Sequence, residues 1–343
     1  MTAARSPPAG RRPTQKDVAL AAGVSQATVS IVLHRPDAPA VPAATRARVQ
    51  RAAATLGYAP NRLAQGLRNA RSMTLACVIP DITNPFYPGF VRGVQQVAGP
   101  AGYDVMITDT DGTEAGERKA LAWLRQGRAD GVVGTFFHLS ATDLAALSRL
   151  GIAVVRLENR AKPGGALPID SVCIDNGAAA AALTGLLLAR GHRRIALIAG
   201  ALGPGDQRVA GYTAAMRAAG LRPDVLRDPD FSAAAGQRCT ARLLRRRLRP
   251  TAVFGANDLL AIGAMTELRN VGLAIPTDVA VAGFDDIAAA ALVMPGLTTV
   301  RQHEQALGAA GAEMLVARLA PGGMTGPGQV RCLAYEIIER GSV

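Results

Sequence analysis

From Ser72 to the end of the sequence, short unbroken apolar runs alternate with amphipathic stretches rich in Ala and Leu. An unbroken apolar run fits a strand buried on both faces, because helices cover a parallel sheet from either side. The runs are MTLACVIP, YDVMITDT, GVVGTFF, IAVVRLE, SVCID, RIALIAG, TAVFGAN and VAVAGFD. Candidate helices lie between them, near 86–101, 114–127, 142–150, 176–190, 207–219, 233–248 and 258–271. This alternation predicts an α/β fold with parallel sheets.

The strand pattern restarts near Ser171–Asn176, and the runs are too many for one comfortable sheet. We therefore expect two similar lobes. In open parallel sheets a ligand binds beyond the carboxyl ends of the strands. The expected ligand site is the crevice between the lobes.

The positive charge of the chain lies mostly near its N-terminus. The formal net charge is +12. Residues 1–72 contain 11 Lys and Arg against Asp17 and Asp37, whereas the remaining residues contain 27 against 24 acidic side chains. Such a distribution is the electrostatic footprint of a small polyanion-binding head on a nearly neutral body.

The sequence lacks the features of secreted proteins, membrane proteins and enzymes. Residues 1–13 are rich in Pro, Arg and Gly, so we expect a disordered basic arm. The N-terminus contains no continuous apolar stretch, so we expect no secretory signal. No apolar run is long enough to span a bilayer, which predicts a cytoplasmic protein without membrane contact. There is no P-loop, dinucleotide fingerprint or catalytic constellation, so we expect neither an enzyme nor a cofactor.

The four cysteines are widely spaced in the sequence and form no CxxC pair. We interpret Cys77, Cys173, Cys239 and Cys332 as reduced core residues, with neither a disulfide framework nor a metal site.

Residues 14–33 predict two short helices joined by a tight turn. Thr14 and Asp17 have the spacing of a capping box, Gly23 permits the turn, and Ser25 is suited to cap the second helix. The first helix would bury Val18, Ala21 and Ala22. Two helices joined in this way form a helix-turn-helix. A packed hairpin without a role in DNA binding is the alternative, and the basic charge argues against it.

The second helix of this pair would present its N-terminal half to the major groove. Gln26, Ala27, Ser30 and Ile31 would be exposed there, while the hydroxyls of Ser25 and Thr28 suit phosphate oxygens. A third helix is predicted over 45–56, with Arg46, Arg48 and Arg51 on its exposed side.

At this point a family resemblance becomes specific. The runs DVALAAGVSQATVS, TRARV and LGYAPN, in this order, resemble the DNA-binding head and hinge of the LacI/GalR family of transcriptional repressors. The resemblance implies that the head contacts DNA through Thr14, Ser25, Gln26, Ala27, Thr28, Ser30, Ile31 and Arg46. Ile31 departs from the polar residue usual at its position, and Pro42 replaces a usual serine cap.

The resemblance also implies a hinge helix at Asn61–Leu67 that folds only when two copies meet on DNA. Leu67 matches the leucine that wedges between base pairs in the minor groove, and Asn61 and Ala64 match its neighbours in that contact. Gly66 departs from the pattern and weakens the helix. A plain linker is the alternative interpretation.

The rest of the chain resembles the family's effector-binding core, which is related to periplasmic sugar-binding proteins. The matching runs are PDITNPFY, GHRRIALIAG, QRVAGYTAAMRAAGL, TAVFGAND, GLAIPTDVAVAGFDD and LTTVRQ. They carry the expected effector-binding residues, which are Asn84, Phe86, Arg208, Asn257, Asp285 and Gln302. Asp111, Glu158 and Asn159 are weaker matches. Carboxylate and guanidinium groups together suit a polyhydroxylated ligand.

The resemblance implies a basic arm at 1–13, a helix-turn-helix domain at 14–60, a hinge and linker at 61–72 and a core at 73–343. Within the core we expect a first lobe of about 73–172 plus 301–326 and a second of about 173–300 plus 327–343. The expected function is a homodimeric repressor that a small sugar-like effector releases from a pseudo-palindromic DNA operator. A purine-type co-repressor system, a stand-alone sugar-binding protein and a doubly wound enzyme remain the alternatives.

Overall fold

The computed structural model describes residues 13–34, 41–59, 71–158, 169–200, 203–323 and 326–343. The chain forms two compact units, Met1–Arg71 and Ser72–Val343. Residues 1–12 of the predicted arm lie outside the described residues. So do the hinge residues Asn61, Ala64 and Leu67, and Asn159.

The described residues of the N-terminal unit form three helices, α1 (Gln15–Ala22), α2 (Gln26–His34) and α3 (Ala43–Thr55). The predicted capping box is present, with Asp17 N–H donating to Thr14 Oγ1 and the Asp17 carboxylate accepting from Thr14 N–H. Gly23 ends α1 in the left-handed conformation, at φ 62°. Ser25 Oγ accepts from Thr28 N–H at 3.1 Å, as expected of a cap. The chain bends by 104° between α1 and α2, the angle of a helix-turn-helix.

A small apolar core holds these helices together. Val18, Val29 and Val49 are fully buried and supply one side chain from each helix. Ala21, expected to face inward, is exposed, and Ala19 is buried in its place because the face toward α2 and α3 includes position 19.

The larger unit contains two parallel sheets, as the alternating pattern predicts. The first has the order β11–β5–β4–β3–β1–β2, with β1 (Thr74–Ile79), β2 (Asp104–Asp109), β3 (Gly131–Gly134), β4 (Ala153–Leu157), β5 (Ile169–Ile174) and β11 (Val330–Leu333). The second has the order β7–β6–β8–β9, with β6 (Ile195–Gly200), β7 (Asp224–Asp228), β8 (Ala252–Gly255) and β9 (Ala280–Ala282). A small antiparallel pair joins β10 (Thr299–Arg301) to β12 (Glu336–Ile338).

Helices lie between the strands of both lobes. In the first lobe they are α4 (Phe86–Ala98), α5 (Glu114–Leu124), α6 (Ala141–Arg149) and α12 (Glu304–Leu319). In the second lobe they are α7 (Asn176–Ala189), α8 (Gly205–Ala218), α9 (Ala233–Leu244), α10 (Asp258–Asn270) and the short α11 (Ala288–Leu292).

Both faces of the first sheet are covered, and β1 illustrates the reason. Leu75, Cys77 and Ile79 pack on one side in the main core, whereas Ala76 and Val78 pack on the other side with residues of α5 and α6. Successive side chains of a strand point to opposite faces, so an apolar run without polar interruption requires helices on both.

One run expected to form a buried strand lies at the edge of the sheet. Among the described strands β2 pairs only with β1, and its residues Met106 and Ile107 are 42% and 43% exposed. An apolar run therefore does not distinguish a central strand from an edge strand.

The C-terminal segment corrects the predicted lobe boundaries. Val330–Leu333 was expected in the second lobe but forms β11, in parallel register with β5. The Asp170 carboxylate accepts from Gln329 N–H at 2.7 Å and pairs with Arg318 of α12 at 2.6 Å, which brings this segment alongside β5. The chain thus passes between the lobes at 174–176, 301–304 and 333–336.

The cysteines differ from expectation in two respects. Cys77, Cys173 and Cys239 are buried, but Cys332 is exposed on β11. Although remote in sequence, Cys332 and Cys173 are direct partners in the β11–β5 ladder.

Within the described ranges, no single helix is long and apolar enough to cross a membrane. Only the pair α1 and α2 passes that test jointly, by length and composition, across its 104° bend.

A buried carboxylate fixes the loop that follows β3. Glu117 of α5 is 1% exposed and accepts hydrogen bonds from the backbone N–H groups of Phe137, His138 and Leu139 at 2.6, 3.0 and 2.9 Å. His138 Nε2 in turn lies 3.0 Å from the Gly112 carbonyl oxygen. Two loops of the first lobe are thereby joined.

We expect Glu117→Gln to lower the stability of the core by about 1–3 kcal/mol, because the amide nitrogen cannot accept from these buried N–H groups. The midpoint of thermal unfolding, followed by circular dichroism, measures the loss. Glu114→Gln removes an exposed carboxylate from the same helix and is the matched control. Equal midpoints for the two variants would contradict the assignment.

Candidate functional site

The exposed face of α2 contains most of the residues predicted to contact bases. Gln26 and Ala27 are exposed, Ile31 is 37% exposed and Ser30 is half-buried. Gln26, Ala27 and Ser30 lie among the first five of the nine residues of the helix, and Ile31 is the sixth. The N-terminal part is the part that a recognition helix presents to bases.

The hydroxyl groups at the helix starts already have intramolecular partners. Thr14 Oγ1 donates to the Asp17 carboxylate at 2.7 Å, and the Ser25 and Thr28 hydroxyls lie 2.9 Å apart. Their structural role is capping, and any phosphate would add to these bonds.

The arginines of α3 are not equivalent. Arg48 and Arg51 are exposed, whereas Arg46, expected on the exposed side, is half-buried and donates from Nη2 to the Val41 carbonyl at 3.4 Å. The difference arises because Val41 enters the small core just before α3 begins. Pro42 precedes the helix without a side-chain cap.

In the larger unit, the two lobes enclose a cavity of about 270 Å3. All six residues predicted to bind an effector line it: Asn84, Phe86, Arg208, Asn257, Asp285 and Gln302. Asp111 and Glu158, the weaker matches, line it too. The structure thus brings together side chains that are up to 218 positions apart in the sequence.

Arg208 of α8 is the central basic group of this cavity. Its side chain is 4% exposed, with Nε donating to Asn176 Oδ1 at 2.9 Å and Nη1 to Asp285 Oδ1 at 3.4 Å. Nη1 also donates to the Ala256 carbonyl, and the guanidinium carbon lies 3.7 Å from the centre of the Phe284 ring. Among the hydrogen bonds of the described residues, none uses Nη2.

Asp285 lies opposite this guanidinium with an unusual backbone, at φ 119°. Its Oδ1 accepts from Gln302 Nε2 at 2.6 Å as well as from Arg208, while Oδ2 accepts from no residue that the structure describes. Burial raises the pKa of Asp285 to about 6, against the opposing influence of Arg208 and Gln302.

Asp258 is a buried acid that the sequence interpretation missed. It is fully buried, and its two oxygens accept from Thr299 Oγ1 and from Ile287 N–H. Burial and the neighbouring Asp285 raise the pKa of Asp258. A side chain at Gly283 would collide with the Asp258 carboxylate, so glycine is required there. The adjacent Asn257-Asp258 in the run TAVFGAND was the available signal.

Two of the predicted polar residues use their amides locally. Asn257 Oδ1 caps α10 through Leu260 N–H at 2.9 Å, and its Nδ2 donates to the Phe231 carbonyl at 3.0 Å. Asn84 Oδ1 accepts from Phe86 N–H at 3.1 Å. These bonds shape the cavity wall and leave only part of each amide for a ligand.

Aromatic residues that the sequence did not single out complete the walls. Tyr87 packs edge-on against Phe86 with ring centres 5.3 Å apart. Phe231 lies over Gly200, and Phe137 of the first lobe lies over Gly203 of the second. The glycines in the run IAGALGPG were the available signal, since only glycine allows rings so close to the backbone.

The cavity carries more acidic than basic groups. Asp81, Asp111, Glu158 and Asp230 line it in addition to Asp285, and Arg208 is the basic residue among the described lining residues. Across the described ranges, no group of three or more His, Cys, Asp or Glu side chains is placed to hold a metal ion.

Each of the two units matches a known protein family. The model of bacterial regulatory proteins of the lacI family matches residues 14–61, and a periplasmic binding protein-like domain matches residues 184–343. The chain is 36% identical to the ribose operon repressor of Escherichia coli K12, over 89% of this chain and 93% of that protein.

Other relatives cover nearly the whole chain. The HTH-type transcriptional regulator RegA of Clostridium saccharobutylicum is 34% identical over 95% of this chain and 98% of its own length. The lac repressor dimer bound to operator and the anti-inducer ONPF superposes with a TM-score of 0.84 at 28% identity, over 97% of this chain and 99% of that chain. The protein therefore belongs to the lacI family of bacterial regulatory proteins and is a DNA-binding transcriptional regulator, not an enzyme.

Proposed function

We propose that this regulator is a homodimeric repressor that leaves a pseudo-palindromic operator when an uncharged, sugar-like ligand binds between its lobes. The observation that carries the proposal is the buried pair of Arg208 and Asp285 at the cavity. We infer that it acts in the cytoplasm, on the nucleoid.

The unused atoms of this pair suit adjacent hydroxyl groups. Arg208 Nη2 can donate and Asp285 Oδ2 can accept, and a sugar hydroxyl can do both. Phe86 and Phe231 offer apolar surfaces for the C–H face of a ring. A polyhydroxylated ring would therefore satisfy the polar and the apolar parts of the cavity together.

The excess of carboxylates argues for an uncharged ligand. Glu158 and Asp230 are paired with Arg156 and Arg238. A phosphorylated sugar would still face Asp81, Asp111 and Asp285 with Arg208 as the lining guanidinium, and like charges in a cleft of low dielectric repel strongly. The same carboxylates would not repel a neutral purine. A purine is therefore the alternative effector that a ligand screen must include.

Dimer formation is supported by the exposed edge of the first sheet. Met106 and Ile107 on β2 and the nearby Ile82 are each more than 40% exposed. Apolar side chains on an open strand edge favour pairing with another chain. Two copies would present two recognition helices to two half-sites, which is why we propose a pseudo-palindromic operator.

The proposal is tested by a thermal-shift screen with neutral sugars, sugar phosphates and purines, followed by release from an operator selected from a random duplex library. We expect a neutral sugar to raise the unfolding temperature and to release the duplex. A purine that tightens DNA binding would instead establish the co-repressor alternative.

For the sugar found in that screen, we expect affinity to fall as pH decreases through about 6. Protonation of Asp285 removes a hydrogen-bond acceptor for the ligand and the negative partner of Arg208. Well below the pKa of about 6, the affinity for the sugar should therefore fall by about tenfold per pH unit. Isothermal titration calorimetry between pH 5 and 8 measures it. Asp285→Asn should bind weakly at every pH, whereas Asp278→Asn, an exposed change in the same lobe, should keep the wild-type profile. A flat wild-type profile would exclude Asp285 from the contact.

For DNA, we expect Gln26→Ala and Arg48→Ala to have different consequences. Loss of a base contact at Gln26 should reduce discrimination at one base pair by about 1–3 kcal/mol. Loss of a phosphate contact at Arg48 should weaken all duplexes alike and lower the slope of log affinity against log salt by about one. Fluorescence anisotropy on the selected operator and its single-base variants measures both.

Arg247→Ala removes an equal charge from an exposed position of the larger unit and is the control. If it changes the salt slope as much as Arg48→Ala, the phosphate contact is wrongly assigned.

A further inference from the structure

Two cysteines lie side by side at the edge of the first sheet. Cys332 of β11 is the direct register partner of Cys173 of β5, and β11 pairs with no other strand in the part of the chain that the structure describes. Register partners in a parallel pair point to the same face of the sheet. Neighbouring strands are about 4.8 Å apart, which lies within the range of roughly 4.4–6.8 Å between the Cα atoms of disulfide-bonded cysteines.

The two thiols belong to register partners but differ in environment. Cys173 is 3% exposed, lines the cavity between the lobes and donates from its thiol to the Arg331 carbonyl oxygen at 4.0 Å. Cys332 is exposed on the open edge of the sheet. A peroxide in solution therefore reaches Cys332, and the buried partner stands where a second thiol is needed to complete a disulfide.

We propose that Cys173 and Cys332 form a reversible disulfide within one chain when the protein meets a hydroperoxide. The site is an oxidative modification site. Cys173 lines the cavity between the lobes, but neither cysteine is among the DNA-binding or ligand-binding residues assigned above. Intracellular disulfides of this kind are transient and act in redox sensing.

The chemistry needs one peroxide for each bond. The Cys332 sulfur attacks a peroxide oxygen, so an S–O bond forms, the O–O bond breaks and a first water leaves. The Cys173 sulfur then attacks the Cys332 sulfur, and the hydroxyl leaves with the Cys173 proton as a second water. The two thiols lose two electrons, and hydrogen peroxide is reduced to two waters.

Burial raises the pKa of the Cys173 thiol to about 12. The thiolate is the attacking form of cysteine, so the first attack falls to the exposed partner. Cys173 acts second, when its proton can leave with the departing hydroxyl.

The bond would join two of the connections between the lobes. β5 ends at Ile174, immediately before the passage to α7, and β11 ends at Leu333, immediately before the passage to β12. A covalent link between Cys173 and Cys332 would tie these passages together where they leave the first lobe. We expect slower amide hydrogen exchange at 174–176 and 333–336 in the oxidised protein.

The test treats the full-length protein with hydrogen peroxide, blocks free thiols with iodoacetamide and maps tryptic peptides without reduction. Trypsin releases Cys173 in peptide 161–190 and Cys332 in peptide 332–340. We expect these peptides to be linked with the loss of two hydrogens, and dithiothreitol to separate them. Hydrogen exchange of the oxidised and reduced protein gives the second readout.

Two variants test whether the linked peptide comes from the proposed cysteine pair. Cys332→Ser should lose the linked peptide, whereas Cys239→Ser, which removes a buried cysteine from the other lobe, should keep it. A mixture of 15N-labelled and unlabelled protein should yield only linked peptides of one isotope. Mixed-isotope links, or oxidation of Cys332 to sulfinic acid without any link, would overturn the proposal.

Discussion

The site in the larger unit depends on the burial of one guanidinium. Arg208 bonds to the start of α7 through Asn176, to the end of β8 through Ala256 and to the segment after β9 through Asp285. Removing a cation from water costs several kcal/mol unless nearly all its donors find partners. Arg208 lies at the cavity, and its Nη2 donates to no acceptor among the described residues. A ligand with a hydrogen-bond acceptor would complete the set of partners of this guanidinium.

The same side chain connects the ligand site to the junction of the lobes. Asp285 accepts from Gln302, which lies on the passage from β10 to α12. The next residue, Asp286, accepts from both Arg301 and Arg340 at 2.7 Å. Asp285, Asp286 and His303 all have positive φ, at 119°, 57° and 55°. Non-glycine residues in such conformations cost about 1–3 kcal/mol each, and the ion pairs hold them in place.

The sequence alone predicted that the six effector-binding candidates would lie close together. Each of them follows the end of an apolar strand or belongs to the first turn of the next helix, and parallel strands end at one edge of the sheet. It was insufficient where position depends on remote pairing. Cys332 is exposed and Cys173 is buried although both were expected in the core, because only β11 of the two paired strands lies at the edge of the described sheet. Asp258 and Asn176 are likewise explained by partners far along the chain, Thr299 and Arg208. Arg46 was expected to be exposed but is half-buried and donates to the backbone carbonyl of Val41. A pattern of side chains along the sequence does not predict a bond to a backbone carbonyl.

Effector response requires contacts from both lobes. A ligand shifts a conformational equilibrium only through a difference in its affinity for the two states. Arg208, Asp285 and Asn257 all belong to the second lobe, so contacts with these residues alone would stabilise open and closed arrangements equally. Asn84 and Phe86 come from the first lobe, and Phe137 of that lobe packs on Gly203 of the second. Under the proposed function, the difference in ligand affinity between the two arrangements would therefore arise from contacts with first-lobe residues such as Asn84 and Phe86, while the buried ion pair of the second lobe would offer its hydrogen bonds in both arrangements.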